Sequence, residues 1–237
     1  MALMIAENRS SEAHENIGNR HQRLCQRTRG AEPLVNNISP VIAALADKRV
    51  VTLERRQHKE ECYDALLLVN GEMDDGVRTV FEKCKQFDRQ NPGSNVLLRI
   101  FPTGRTSDII SVSLYDEAMK VDQLITRIKS LSGEHPMLES IQPLQEVMNK
   151  ELEAQRIYRE AVGQWKLAVA EEDLAKADLR RQYEHNYLDA VKLFGKRFAQ
   201  RLFPKVTKSR PVIEDPEAAV EIKSQVVKNN QVTPEEN

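Results

Sequence analysis

Apolar residues recur along most of this chain at alternating steps of four and three, the spacing that lines one face of an α-helix. From Ile38 the series runs through Ile42, Leu45, Arg49, Thr52, Arg56, Lys59, Tyr63, Leu66, Asn70, Met73, Val77, Val80, Cys84 and Phe87. Both ends of the series are apolar and its middle is not. A register of this length predicts one long helix packed along a partner. Ser39-Pro40 is its expected start, with serine as the cap and proline in the first helical position. Asn91-Pro92-Gly93-Ser94 ends it. Asn70-Gly71 and Asp74-Asp75-Gly76 have turn composition, but Met73, Val77 and Val80 hold the register across both glycines, so the helix is expected to continue. Glu54 to Glu61 contains no apolar residue for two turns and adds nothing to a hydrophobic seam.

Two further helices follow from the same periodicity. Ser113 and Asp116 have the spacing of a capping box, and Leu114, Ala118, Val121, Ile125, Ile128 and Leu131 succeed them before Ser132-Gly133. A second long helix is expected from close to Ser140, with Pro143 in its first turn, to just before Pro204. Its stripe includes Met148, Leu152, Tyr158, Val162, Trp165, Val169, Leu179, Tyr183, Tyr187, Val191, Phe194, Phe198 and Leu202. Several members recur every eleven residues, which favours a straight or slightly right-handed path along the partner. The stretch 90–113 reads as an irregular connection or a small β-hairpin. Residues 1–37 lack sustained periodicity and read as a flexible arm, and 205–237 as a flexible tail. The expected fold is all-α: an elongated helical bundle or coiled coil over 38–204, with two long helices, one shorter helix and flexible termini.

Composition fits that picture. Aromatic residues make up 5% of the chain, lean for a compact globule but suited to long helices that bury one narrow stripe. A formal net charge of -1 leaves any electrostatic role to local clusters. Cys25, Cys62 and Cys84 are odd in number, and the last two would lie roughly 33 Å apart on one helix at ~1.5 Å per residue. Unpaired thiols point to a reducing compartment. No signal-length or membrane-length apolar run occurs, so a cytoplasmic location without a transmembrane segment is the expectation.

Catalytic signatures are sparse. Gly71 and Gly76 have the spacing of a phosphate-binding loop, but Val77-Arg78 stand where lysine and serine or threonine are needed. No glutamate lies three residues before any histidine, as di-iron bundles require. His58 and Cys62 could share a metal from one helix face, yet no second local pair completes a site. Cys84 falls on the apolar register and reads as core. Glu171-Glu172-Asp173 reads as a solvated helix face. The expectation is a protein without enzymatic activity, cofactor or metal.

One segment stands above this background. Residues 192–210 contain no acid and interleave Lys192, Lys196, Arg197, Arg201 and Lys205 with Phe194, Phe198 and Phe203. A basic amphipathic helix end of this kind suits an acidic protein, an anionic lipid surface or nucleic-acid phosphate. It also complements a helix C-terminus and can simply continue a core. The shorter helix can cover only part of the two long ones, so some apolar stripe must lack an intrachain partner. The leading expectation is a scaffold or adaptor acting through helical surfaces, with itself or another helical protein as partner. The alternative is a peripheral binder of anionic membrane or nucleic acid through 192–210.

Overall fold

The computed structural model describes residues 4–131 and 133–203. Among these the regular elements are all helical: α1 (Ser11–Gln26), α2 (Glu32–Gln90), α3 (Val96–Ile100), α4 (Ser107–Ile110), α5 (Leu114–Lys129), a 3-10 turn (Pro136–Ser140), α6 (Ile141–Phe194) and α7 (Lys196–Leu202). The 59 residues of α2 extend ~88 Å at ~1.5 Å per residue. Gly71 and Gly76 lie within it without a break, as the register through Met73 and Val77 requires.

Helices α2 and α6 pair antiparallel over most of their length. Asn186 bonds the Leu34 carbonyl, Lys48 pairs with Glu171 at 2.6 Å and Arg55 donates to Gln164. Tyr63 then meets Tyr158, and Lys150 reaches Glu72 at 3.5 Å. Each step up α2 is matched by a nearly equal step down α6, so the pairing holds one register from end to end.

Two hydrophobic cores close the ends of this hairpin, and they share no residue. One joins Leu34, Ile38, Ile42 and Leu45 of α2 to Leu179, Tyr183 and Ala190 of α6, covered by α1 and α7. The other joins Met73, Val77, Val80 and Cys84 of α2 to Leu144 of α6, covered by α3, α4 and α5. Between them runs a neck of two helices, where Cys62, Leu66, Ala161 and Ala168 are the buried apolar side chains.

Three elements differ from the sequence expectations, each for a physical reason. The supposed arm contains α1, capped by Ser10, whose hydroxyl accepts the Ala13 N–H at 3.2 Å. Its buried positions are Ser11, His14, Gly18, His21 and Cys25, a helical stripe made mostly of small and polar residues. Helix α2 starts at Glu32 rather than at Ser39, because fully buried Leu34 carries the seam upstream. Pro40 is then internal but on the exposed side, where the carbonyl it frees on Asn36 reaches water. The second long helix stops at Phe194, since Gly195 takes φ +75° and turns the chain into α7. The 90–113 connection holds the short helices α3 and α4 and no strand. The tail 205–237 lies outside the described residues.

Gly18 lets α1 lie close against the hairpin. A Cβ there would stand 3.0 Å from Ile42 Cγ1 and 3.2 Å from Ile42 Cδ1. Replacing Gly18 with valine is expected to cost about 2 kcal/mol through overpacking. A urea midpoint equal to that of the wild type would show that α1 can lift without penalty.

Candidate functional site

The contacts of α6 with α1 and α5 fall on a single stripe. At one end α1 meets Glu172 through Ser11, Leu179 beneath Gly18, and Asn186 through His21. At the other end α5 meets Gln155, which donates to the Leu114 carbonyl at 2.7 Å. Steps of four and three from Gln155 give Tyr158, Val162, Trp165, Val169 and Glu172. The four residues between the two contacts therefore face the same side of the hairpin as α1 and α5, and all four are half-buried.

The same holds on α2. Ile42 lies beneath α1, Arg49 pairs with Glu15 of α1 at 3.3 Å, and Asn70 bonds Glu117 of α5 at 2.5 Å. Between Arg49 and Asn70 the same spacing gives Leu53, Arg56, Glu60, Tyr63 and Leu67. Leu53 is 58%, Leu67 43% and Tyr63 39% exposed. Arg56 and Glu60 pair with each other, and Lys59 lies 4.4 Å over the Trp165 ring. Among the described residues the rod is thus three helices thick at both ends and two thick in the middle. Its bare face carries Leu53, Tyr63, Leu67, Tyr158, Val162, Trp165 and Val169, including the single tryptophan of the chain.

The α5 side of this gap is held by an acidic cluster. Glu117 and Glu151 are buried, and Asp74 lies beside them with one oxygen on Arg78 at 3.1 Å. Gln155 donates to Glu151 at 3.0 Å. One oxygen each of Asp74, Glu117 and Glu151 is buried without a hydrogen-bond partner. Burial, together with contact with Asp74 and the charge of Glu151, pushes the Glu117 carboxyl up to about 7 against the opposing pull of Asn70. Burial likewise raises Glu151.

The α1 side is held by a histidine. His21 Nδ1 lies 2.9 Å from the Leu202 carbonyl, which can only accept, so this nitrogen carries the proton. Nε2 then accepts from Asn186 Nδ2 at 3.1 Å, and the second hydrogen of that amide goes to the Leu34 carbonyl at 2.8 Å. Gln182 donates to Asn186 Oδ1 at 3.0 Å. Four helices are joined through one neutral imidazole, whose pKa burial lowers below the ordinary histidine value.

The basic segment is divided by Gly195. Lys192 pairs with Asp189 at 2.9 Å, and Phe194 packs on Phe198. Phe203 is buried against His21, Tyr183 and Tyr187. Phe198 is 37% exposed. Lys196, Arg197 and Arg201 of α7 are exposed and make no ion pair among the described residues, and Lys205 lies outside them.

All three cysteines are buried and free, and burial pushes the Cys25 and Cys84 thiols up to about 12. Cys62 lies within 3.9 Å of the His58 ring. Among the described residues no group of three His, Cys, Asp or Glu is placed to hold a metal ion, and no helix is long and apolar enough to cross a membrane. Neither protein-family models, curated proteins nor solved structures provide a match to this chain.

Proposed function

We propose that this protein is a non-enzymatic scaffold that self-assembles through its neck, the bare face of one copy lying across the bare face of another. The observation that supports this most is the interrupted third layer: apolar and aromatic residues continue the stripe that α1 and α5 cover at either end. Exposed apolar faces of this kind in water favour association.

The dimensions suit a second copy. From Gln155 to Glu172 the gap is ~26 Å long, and two helices side by side are ~20 Å wide. A neck of that width fits crosswise between α1 and α5. Two strips ~20 Å wide that cross overlap over ~400 Å² per copy, or about 800 Å² in total, the size of a weak or transient interface. Such a contact is two-fold and self-complementary. The bare row on α2 carries Arg56 and Glu60, which pair with each other, and Lys59 over Trp165 adds one cation per copy.

Light scattering on a sizing column, at low and high salt, tests the reading. A dimer that resists salt is expected, dissociating in the micromolar range appropriate to so small an interface. Trp165 supplies a second readout, because its emission should shift to the blue as concentration rises. Val162→Asp should give a monomer of unchanged helical content. A wild-type monomer at every concentration, with concentration-independent Trp165 emission, would overturn the proposal.

A further inference from the structure

At the end of the rod remote from α1, the loop between α3 and α4 folds back over one face of α5. Phe101 closes the turn by accepting the N–H of Gly104 at 2.8 Å, and Gly104 makes it possible with φ +68°. The turn delivers Arg105 to the mouth of a cavity of about 160 Å³. Lys120 and Arg127, seven residues apart on α5, supply its wall, and buried Phe101 and Ile109 its apolar floor. Arg127 is anchored from behind, donating through Nη1 to the Ile100 carbonyl at 3.3 Å.

Charge sets this cavity apart. Fourteen ion pairs occur among the described residues, and none includes Arg105, Lys120 or Arg127. Asp108 is the one acid in the lining, and it pairs with none of the three. Three cations therefore line one open recess with a single anion to offset them. Like charges gathered around a low-dielectric wall repel one another unless an anion enters. An anchored guanidinium offers a fork of N–H donors matched to phosphate oxygens, and a lysine adds a point charge.

We infer that this cavity binds a small phosphate ester, with the phosphate held by Arg105, Lys120 and Arg127 and an apolar or aromatic substituent laid on the exposed Pro102 ring at its mouth. The site is independent of the neck: it lies at one end of the molecule and uses no residue of the bare face.

The test is calorimetric titration of the full chain with phenyl phosphate and with inorganic phosphate, supported by amide shift mapping. Saturable one-site binding of phenyl phosphate is expected, about tenfold tighter than inorganic phosphate because only the ester covers Pro102. Shifts should centre on Arg105, Lys120 and Arg127. Arg105→Ser, at an exposed loop position that leaves the core intact, should weaken binding several-fold, and adding Lys120→Gln should abolish it. Equal affinity for the two probes would overturn the ester assignment. The absence of saturable binding at about 10 mM probe, or binding unchanged in the double variant, would overturn the site.

Discussion

Asn186→Ala is expected to lower the unfolding free energy by about 3 kcal/mol, one of the two largest effects of single substitutions considered for this molecule. The amide gives one hydrogen to His21 and the other to the Leu34 carbonyl, while its oxygen accepts from Gln182. Alanine leaves the buried ring nitrogen on α1 without a donor, at about 1–3 kcal/mol, and removes the second donor from the Leu34 carbonyl, which keeps only the helical N–H of Ile38. The loss should appear as a lower urea midpoint with an unchanged slope. Acid attacks the same junction. A protonated His21 would present an N–H where Asn186 already donates, so the amide must turn away from Leu34. Because folding lowers the His21 pKa, its contribution is present above the unfolded value near 6.5 and is lost as pH falls through the folded value. An Asn186→Ala midpoint within 1 kcal/mol of the wild type, by this ~1 kcal/mol criterion for a typical hydrogen bond, would remove the junction from any account of stability.

Glu117→Gln should do the opposite and stabilise the protein by about 2 kcal/mol at pH 8. The folded pKa of Glu117, about 7, lies above its unfolded value of 4.5. The sign is therefore reversed from that of an ordinary salt-bridged carboxylate: stability is full below the unfolded pKa and falls as pH rises through the folded one. The shift corresponds to at most ~3.5 kcal/mol at about 1.4 kcal/mol per pH unit. The groups around Glu117 are Asn70 and Asp74 on α2, with Arg78 on the far side of Asp74, and Glu151 and Gln155 on α6. None of those in direct contact is a cation. A glutamine can donate to Asp74 or Glu151 in place of the proton and still accept from Asn70, so it mimics the neutral acid at every pH. Thermal melts of wild type and variant should coincide near pH 4.5 and separate by roughly 4–8 °C at pH 8. Parallel melting curves across that interval would show that Glu117 is ionised throughout.

The two long helices were legible because their apolar positions are dense enough to set a register. Met73, Val77 and Val80 outweighed two glycines, and Ala118, Val121, Ile125 and Ile128 marked α5 to within two residues at its C-terminal end. Helix α1 was illegible for the converse reason. Its buried stripe of Ser11, His14, Gly18, His21 and Cys25 has steps of three and four, but its members are small or polar and are buried only because partners elsewhere satisfy them or fit around them. Local composition cannot reveal that Asn186, far along the chain, completes His21. The bare face was half legible: the short helix was bound to leave part of the stripe open, and Tyr158, Val162, Trp165 and Val169 were on it. Where the opening falls depends on α1 covering one end, which the periodicity of 1–37 did not disclose. In the basic segment, the cations of α7 lie on the surface as their composition suggests, whereas Phe203 closes the core at His21.

The neck has a mechanical consequence. A rod bends where its section is thinnest, and here two helices carry the load that three or more share at either end. Thermal flexing should concentrate between Arg49 and Asn70, with the two ends behaving as stiff blocks on a compliant beam. A second neck laid across the first would double the section at that point. Assembly would then turn a bending rod into a rigid cross, fixing the angle between four arms that were free to swing while the copies were apart.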